Sequence, residues 1–176
     1  MTAMTAQPSI TCNETLAISA HRIFPDELNE HGTLFGGITL NIVDREASLA
    51  AMEVARQTVV TAKLDHVNFI APFQLHNSMN LEAYVTGMGH RSIEVFAKII
   101  GKDLTTGQTF LGFTCFATFV IEDQLAQVKY NRVIPQTEEQ QAMCAGYEQR
   151  VQERRQERQL FQKQLATITT NKPWQN

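Results

Sequence analysis

The chain has 176 residues, 43% of them hydrophobic, which is enough for one domain with a buried core. Its formal net charge of -3 argues against a general nucleic-acid binder. No stretch comes near the roughly 20 apolar residues that span a bilayer, and the start of the chain lacks the basic and apolar runs of a signal peptide. We therefore expect a cytoplasmic protein with no nucleic-acid partner and no membrane insertion.

The cysteines and histidines do not indicate a metal site or a disulfide framework. Cys12, Cys115 and Cys144 are an odd number without metal-ligand spacing, and the five histidines are scattered along the chain. We therefore predict reduced thiols and no metal.

The amino-terminal half is organised around a loop, a glycine pair and a long helix. Residues 1–14 are expected to form a mobile tail, and residues 15–24 have the composition of a first strand that ends at Pro25. Gly36 and Gly37 then precede residues 38–55, a run without Gly or Pro that predicts a helix. Its predicted core face consists of Leu40, Val43, Ala47, Ala50 and Val54.

Asp44 falls at the edge of this apolar face. At about 100° per residue, it lies on a strip of small residues made by Gly37, Ser48, Ala51 and Ala55. The small side chains predict space beside the carboxylate.

Four apolar, β-branched runs follow the helix, separated by short connections rich in turn residues. They cover residues 58–69, 78–87, 92–101 and 109–121. Short connections predict antiparallel strands in a meander, so the fold class is α+β, with a single antiparallel sheet around one helix. Because such a sheet has open edges and one helix to cover it, we expect it to pair with a second copy of the chain.

The composition changes after Pro135. Residues 137–165 are rich in Gln, Glu and Arg with a thin apolar stripe, which predicts an exposed helix lying on the domain or on another subunit. The predicted organisation is a tail at 1–14, one domain at 15–135, and a C-terminal helix and tail at 136–176.

Three features of the loop and the helix start could carry chemistry, and each also has a purely structural explanation. Asp44 is a candidate general base or nucleophile near the amino end of a helix, or a surface carboxylate. Gly36 and Gly37 could donate backbone N–H groups to a carbonyl oxygen, or could permit a tight turn. Asn29 could hold a water or a carbonyl through its amide, or could serve a loop turn. The residue pattern alone leaves these alternatives open.

One stretch of the chain has a specific order and spacing: Asn29-Glu30-His31-Gly32-Thr33-Leu34-Phe35-Gly36-Gly37, followed seven residues later by Asp44. This stretch resembles the hotdog-fold acyl-CoA thioesterases. Similar residues follow in the family's order at Ala51, Val59-Val60-Thr61, Asp65, Phe69, Pro72, Gly89, Ser92-Ile93-Glu94-Val95 and Phe116-Ala117-Thr118-Phe119-Val120. The likeness covers residues 18–123. In particular, the chain resembles the cytosolic branch, which contains broad-range bacterial acyl-CoA thioesterases and animal cytosolic acyl-CoA hydrolases.

The resemblance implies hydrolysis of fatty acyl-CoA thioesters to free fatty acid and CoA. Asp44 would act as general base or nucleophile, the Gly37 N–H would donate to the thioester oxygen, and Asn29 would assist across a subunit interface. The implied substrate-binding residues are Gly36, Thr61, Gly89, His90, Arg91 and Ser92. No cofactor is implied beyond CoA as part of substrate and product. The implied active unit is a homodimer that assembles further into a tetramer or hexamer.

Two other functions of the same fold stay open. A non-catalytic acyl-CoA-binding regulator would bind the same ligand, but the chain has no basic helix-turn-helix-like stretch of the kind that regulators add. A hotdog dehydratase would require a histidine paired with an acid at the site, and His31 is the only histidine in the loop. In the thioesterase interpretation, we expect the acyl chain to lie along the small-residue strip beside Asp44.

Overall fold

The structure is a computed structural model that describes residues 8–171 and residue 174. Its described residues fall into two compact units, the first ending at Cys144 and the second beginning at Ala145. In chain order, the strands and helices are β1 (Ser9–Thr11), β2 (Ala17–Arg22), α1 (Gly36–Ala55), β3 (Val59–Phe69), β4 (Asn77–Met88), β5 (Ser92–Asp103), β6 (Thr109–Ile121), β7 (Arg132–Ile134), α2 (Glu138–Ala145) and α3 (Tyr147–Leu165). Short 3-10 turns lie at Asn13–Thr15 and Pro25–Glu27.

Five antiparallel strands form one sheet in the order β2-β4-β5-β6-β3, and α1 packs against it. A second sheet pairs β1 with β7 in parallel. The predicted α+β fold, with an antiparallel sheet around one long helix and a C-terminal helical extension, is confirmed. Helix α1 begins at Gly36, so the glycine pair opens the helix as predicted.

One part of the predicted topology is wrong, because β3 does not pair with β4 and the four strands are not a continuous meander. Instead β3 pairs with β6 at one edge of the sheet, and β2 pairs with β4 at the other edge. The connection of residues 70–76 can cross the roughly 14 Å of three strand spacings, since an extended residue covers about 3.3 Å. It bonds to the sheet as it crosses, with the N–H groups of Ile70 and Ala71 donating to the Gly112 carbonyl at 2.8 and 3.2 Å.

Strand β3 departs from a regular alternation of side chains. Its register shifts between Thr61 and Lys63. A strict alternation would place Val59 and Leu64 on opposite faces, yet both pack against the core, because the bulge inserts an extra residue between them. Val60 is left 48% exposed.

The core lies between α1 and the sheet. On the predicted helix face, Val43, Ala47, Ala50 and Val54 are fully buried, whereas Leu40 is only partly buried. The buried side chains that β4 and β5 contribute are Met79, Leu81, Ala83, Val85, Ile93, Val95, Ala97 and Ile99. They alternate along each strand with side chains on the outer face of the sheet, as the strand pleat requires.

The outer face of the sheet carries a second apolar cluster, formed by Tyr84, Phe96, Phe116 and Cys12. Helix α2 contacts it through Met143 and through Glu139, which accepts hydrogen bonds from the Tyr84 hydroxyl at 3.1 Å and from the Lys98 ammonium at 2.7 Å. Burial and the neighbouring Glu139 carboxylate raise the pKa of Tyr84, so its hydroxyl stays protonated and donates. These contacts make α2 part of the first unit.

The amino-terminal residues contribute to the first unit. Of the predicted tail at 1–14, residues 1–7 lie outside the described residues. Ser9–Thr11 form β1, and the side chains of Ile10 and Cys12 are buried. The first unit extends to residue 144, beyond the domain end predicted at 135.

The helix predicted at 137–165 consists of α2 and α3, with Gly146 between them. Helix α3 has no buried residue. Among the described residues, no helix is both long enough and apolar enough to cross a membrane.

Candidate active site

Backbone hydrogen bonds hold the loop before α1 in place. The Leu34 N–H donates to the Phe73 carbonyl at 2.8 Å, and the Phe35 N–H donates to the Glu27 carbonyl at 3.0 Å. The Ile38 N–H then donates to the Phe35 carbonyl at 2.9 Å, which closes the first turn of the helix. Since the first N–H groups of a helix have no partner within it, the glycine pair presents backbone donors at this end.

Two aromatic rings cover the glycine pair. A β-carbon at Gly37 would lie 2.6 Å from Cε1 of Phe35, and one at Gly36 would lie 3.4 Å from Cε1 of Phe69. Both rings are exposed, by 58% for Phe35 and 57% for Phe69. Neither ring is among the site residues predicted from sequence, although an aromatic residue directly before a glycine pair is a signal for such close packing.

Asp44 and Thr61, both predicted site residues, are in direct contact. The Thr61 hydroxyl donates to Asp44 Oδ1 at 2.6 Å. Asp44 is partly exposed on α1, and Thr61 lies on β3 directly before the register shift. Because residues two apart in a strand share a face, Thr61 lies on the same side of β3 as Val59, which packs against the core. The bond fixes one carboxylate oxygen and leaves Oδ2 able to accept a proton.

Asn29 uses its side chain within its own loop. Its Oδ1 accepts hydrogen bonds from the N–H groups of His31 and Thr33 at 2.9 and 3.2 Å. Its Nδ2 donates to the Thr33 hydroxyl oxygen at 3.0 Å. These bonds support the structural explanation of Asn29 as a loop-forming residue, and none of them involves Asp44.

The predicted CoA-binding loop joins β4 to β5. It closes through a hydrogen bond from the Gly89 N–H to the Ser92 carbonyl at 2.8 Å. Arg91 is engaged within the protein, since its guanidinium donates to the Ile121 carbonyl at 2.6 Å. The adjacent His90 is exposed.

This loop lies at the end of the sheet where Thr61 stands. Thr61 is in register with Phe119 of β6, and Phe119 is in register with Ile93, the second residue of β5. Two strand spacings therefore separate Thr61 from Ile93, a distance of roughly 10 Å.

Within one chain, the glycine pair and Asp44 are separated by about two turns of α1. Asp44 is seven residues beyond Gly37 on the same helix, which is a rise of about 10 Å along its axis. A reacting carbonyl must lie about 3 Å from both an oxyanion donor and an attacking group.

The predicted small-residue strip does not form a groove. Ala51 is fully buried and Ala55 is 7% exposed, because both pack in the core between α1 and the sheet. The Ser48 hydroxyl donates to the Arg45 carbonyl at 2.6 Å. The expectation of an acyl path along the strip is therefore wrong for this chain. The exposed apolar side chains around the site are Phe35, Leu49, Met52, Val60 and Phe69.

The loop histidine that a dehydratase would need pairs with an acid only on the surface. His31 Nε2 lies 3.4 Å from Glu30 Oε1, and both side chains are mostly exposed, by 76% and 82%. Within residues 8–171 and 174, no group of three or more His, Cys, Asp or Glu side chains has an arrangement that could hold a metal ion.

The sequence and the fold both match known thioesterases. A profile of the thioesterase superfamily matches residues 31–108. The chain is 38% identical over 164 residues to the uncharacterised acyl-CoA thioester hydrolase YkhA of Bacillus subtilis, over 93% of this chain and 95% of the relative. The structure of an acyl-CoA hydrolase from Bacillus cereus is similar, with a TM-score of 0.84 and 35% identity over 93% of this chain and 100% of the other. A hexameric acyl-CoA thioesterase has a TM-score of 0.78 and 32% identity, over 85% of this chain and 96% of the other.

An acyl-CoA hydrolase from Staphylococcus aureus is a structural relative that has been solved with bound ligands. Its structure in complex with butyryl coenzyme A, coenzyme A and coenzyme A disulfide has a TM-score of 0.80 and 30% identity, over 91% of this chain and 98% of the other. Solved variants of that enzyme replace an aspartate, a threonine or an asparagine by alanine. The resemblance found in the sequence is confirmed, and the chain belongs to the thioesterase superfamily, among its acyl-CoA thioester hydrolases.

Proposed function

We propose that the protein hydrolyses fatty acyl-CoA thioesters to free acid and CoA. The observation that carries the proposal is the 2.6 Å hydrogen bond from Thr61 to Asp44, which fixes a carboxylate beside the sheet with one oxygen left to accept a proton. The family supports the same reaction, since relatives of similar length are acyl-CoA hydrolases. One of them is known in complex with butyryl coenzyme A.

In the proposed reaction, the thioester oxygen accepts a hydrogen bond from the Gly37 N–H at the positive end of the helix dipole. Asp44 Oδ2 takes a proton from water as the water oxygen attacks the carbonyl carbon. The carbon–sulfur bond then breaks, and the proton passes to the CoA sulfur. As a nucleophile, Asp44 would instead form a mixed anhydride that water hydrolyses.

We further propose that each site is built from two copies of the chain. The rise of about 10 Å between Gly37 and Asp44 favours this arrangement for direct attack by Asp44, with one copy supplying the backbone donor and the other the carboxylate. Asn29 would then act beside Gly37, across the interface from Asp44. The aspartate, threonine and asparagine replaced in the S. aureus enzyme are the same residue types as Asp44, Thr61 and Asn29.

The surface of the first unit supports a homodimer. Strand β3 is an edge strand, and Val60, Val67 and Phe69 on it are exposed by 48%, 37% and 57%. Open edges and apolar patches of this kind are commonly covered by a second subunit. Since a hexameric thioesterase is among the relatives, we propose that dimers assemble further, into a hexamer. The cytoplasmic location stays a prediction.

The loop at 89–92 and the two rings over the glycines complete the proposed substrate site. The loop lies roughly 10 Å from Thr61, at the same end of the sheet. At this position it would contact the CoA part of the substrate. Because Ala51 and Ala55 of the small-residue strip are buried, we propose that the acyl chain starts against the exposed rings of Phe35 and Phe69.

The test is thiol release from a series of acyl-CoA esters by wild type and Asp44→Asn. We expect the amide to keep the fold and acyl-CoA binding and to lower turnover by about 100- to 10,000-fold. Glu53→Gln is the matched control, because Glu53 is an exposed carboxylate further along the same helix. Near-normal turnover by Asp44→Asn would remove Asp44 from the chemistry. Acyl-CoA binding by wild type without thiol release at any chain length would favour the non-catalytic regulator.

A further inference from the structure

Two cysteines from opposite ends of the first unit are in contact on the outer face of the sheet. The Sγ atoms of Cys12 and Cys144 lie 3.6 Å apart, although the residues are 132 positions apart in the sequence. Cys12 is fully buried, and Cys144 is partly exposed. A disulfide bond is about 2.05 Å long, so the two sulfur atoms would have to approach by roughly 1.5 Å.

The fold holds Cys12 in place through its backbone and its thiol. Its N–H donates to the Ile134 carbonyl at 3.0 Å, and its own carbonyl accepts the Thr15 hydroxyl at 2.9 Å. Its thiol donates to the Val85 carbonyl at 3.4 Å.

Beyond the end of β2, side chains take over the hydrogen bonds that a paired strand would make to β4. The pairing of β2 with β4 ends at Ala17 and Ala83, so Val85 has no partner in β2. Its N–H donates instead to the Thr15 hydroxyl oxygen at 3.0 Å, and its carbonyl accepts the Cys12 thiol. Cys12 is therefore fixed against the sheet, and Cys144 approaches it from the end of α2.

We propose that Cys12 and Cys144 are a redox-active pair that forms a reversible disulfide with a low-molecular-weight disulfide as oxidant. The Cys144 thiolate attacks one sulfur of the oxidant, releases one small thiol and becomes a mixed disulfide. The Cys12 sulfur then attacks the Cys144 sulfur and releases the second small thiol. Two electrons pass from the protein to the oxidant, which leaves as two thiols carrying the two protons.

Access sets the order of these steps. Cys144 reaches solvent, whereas Cys12 is enclosed by the sheet and α2. The hydrogen bond with Cys144 and burial raise the pKa of Cys12, so its thiol stays protonated in the reduced protein. Cys12 therefore reacts only after Cys144 has been modified.

Oxidation removes a hydrogen bond, and this loss favours the reduced form. A disulfide sulfur has no proton to donate, so the buried Val85 carbonyl loses the Cys12 donor. The oxidised form is therefore less favoured than a disulfide formed without such a loss. In the oxidised form, α2 is tied covalently to the segment between β1 and β2.

The experiment equilibrates the full chain with mixtures of reduced and oxidised glutathione and counts free thiols after acid quenching and denaturation. We expect wild type to lose two of its three thiols and peptide mapping to show Cys12 linked to Cys144. Cys115→Ser is the matched control and should still form the bond. Burial and the Asp65 charge raise the pKa of Cys115 to about 12, so this thiol should stay inert.

Two comparisons make the test decisive. Cys144→Ser changes a partly exposed position and should form no internal disulfide. This variant tests the proposal even if Cys12→Ser, at a fully buried position, fails to fold. The equilibrium constant for the bond should fall at least tenfold when wild type is unfolded in urea, because the fold places the sulfurs together. Equal constants in native and unfolded protein, three thiols remaining in excess oxidised glutathione, or a stable glutathione adduct on Cys144 would each overturn the proposal.

Discussion

The hydrogen bond from the Thr61 hydroxyl can be tested separately from the size of the side chain, since valine has nearly the same size but no donor. Thr61→Val should lower turnover by about 10- to 100-fold, because a hydrogen bond to a charged group contributes roughly 1.5–3 kcal/mol. Thr61→Ser keeps a hydroxyl and should retain most of the activity. The measurement is steady-state thiol release by the three proteins.

The two Thr61 variants also separate chemistry from folding. Their thermal stabilities should be similar to that of wild type, because Thr61 is exposed. Equal turnover by the valine and serine variants would mean that the 2.6 Å bond to Asp44 does not serve the reaction.

Ala51 gives a prediction about packing rather than substrate. Ala51→Leu inserts a large side chain into a fully buried position and should lower the free energy of unfolding by about 1–3 kcal/mol. Because the residue lies in the core, activity per folded molecule should change equally for short and long acyl chains. Urea denaturation and a chain-length series measure the two effects.

Met52→Leu is the matched control, since Met52 neighbours Ala51 in the chain and is 42% exposed. Its stability should stay near that of wild type. A selective loss of long-chain activity in Ala51→Leu would restore the acyl path along the small-residue strip.

The sequence alone predicts which residues belong to the candidate site. It predicts less well which of their side chains are in contact. Asp44 and Thr61 follow from the family resemblance, but their contact depends on how α1 lies across β3, which local pattern does not reveal. The sequence does not reveal that Ala51 and Ala55 are core residues, because small residues fit equally well where a ligand passes and where a helix packs closely against a sheet.

Helix α2 is held on the sheet by a small group of charges, and its contribution should depend on pH. Lys98 lies 2.7 Å from Glu139 and 3.1 Å from Glu82. Burial lowers the pKa of Lys98, but the hydrogen bonds to Glu139 and Glu82 outweigh it and leave the pKa above its ordinary value of 10.5. Lys98→Met should therefore destabilise the protein, by up to about 1 kcal/mol.

The raised pKa fixes the sign of the pH dependence. The stabilisation by Lys98 is fully present below its ordinary pKa of 10.5 and is lost as the pH rises through the higher pKa of the folded state. The gap in unfolding free energy between wild type and Lys98→Met should stay constant near neutrality and close at strongly alkaline pH. Lys102→Met, at an exposed position of the same strand, should show no such gap. A gap that widens with alkaline pH would contradict this role.

The long elements could be predicted from local pattern, whereas the short ones could not. Helix α1 and strands β3 to β6 have enough residues for a period to be visible, and their predicted ranges lie close to the observed ones. Strands β1 and β7 have three residues each, too few for any period. Their pairing depends on contacts between distant parts of the chain, as does the pairing of β3 with β6.

Shared active sites can be tested by mixing two inactive variants. Asn29→Ala and Asp44→Ala, unfolded together in equal amounts and refolded, should regain about one quarter of wild-type activity, because half of randomly formed dimers would contain one intact site. Each variant refolded alone should stay inactive. The measurement is thiol release, normalised to wild type treated in the same way.

The oligomeric state provides the control for this experiment. Light scattering should find each refolded variant at the same mass as wild type, and that mass should exceed one chain. Recovery of no activity by a mixture that forms oligomers normally would show that Asn29 and Asp44 do not combine across the interface.

The parallel pairing of β1 with β7 has a consequence for the order in which a new chain folds. Contacts between residues so distant in the chain are slow to form, since a long loop must close first. During synthesis β1 emerges early and finds its partner only after β7 has been made, when all strands of the main sheet are already available. The closure that brings Cys12 beside Cys144 is then among the last events of folding, and a nascent chain passes through a stage in which both thiols are open to the surrounding solution.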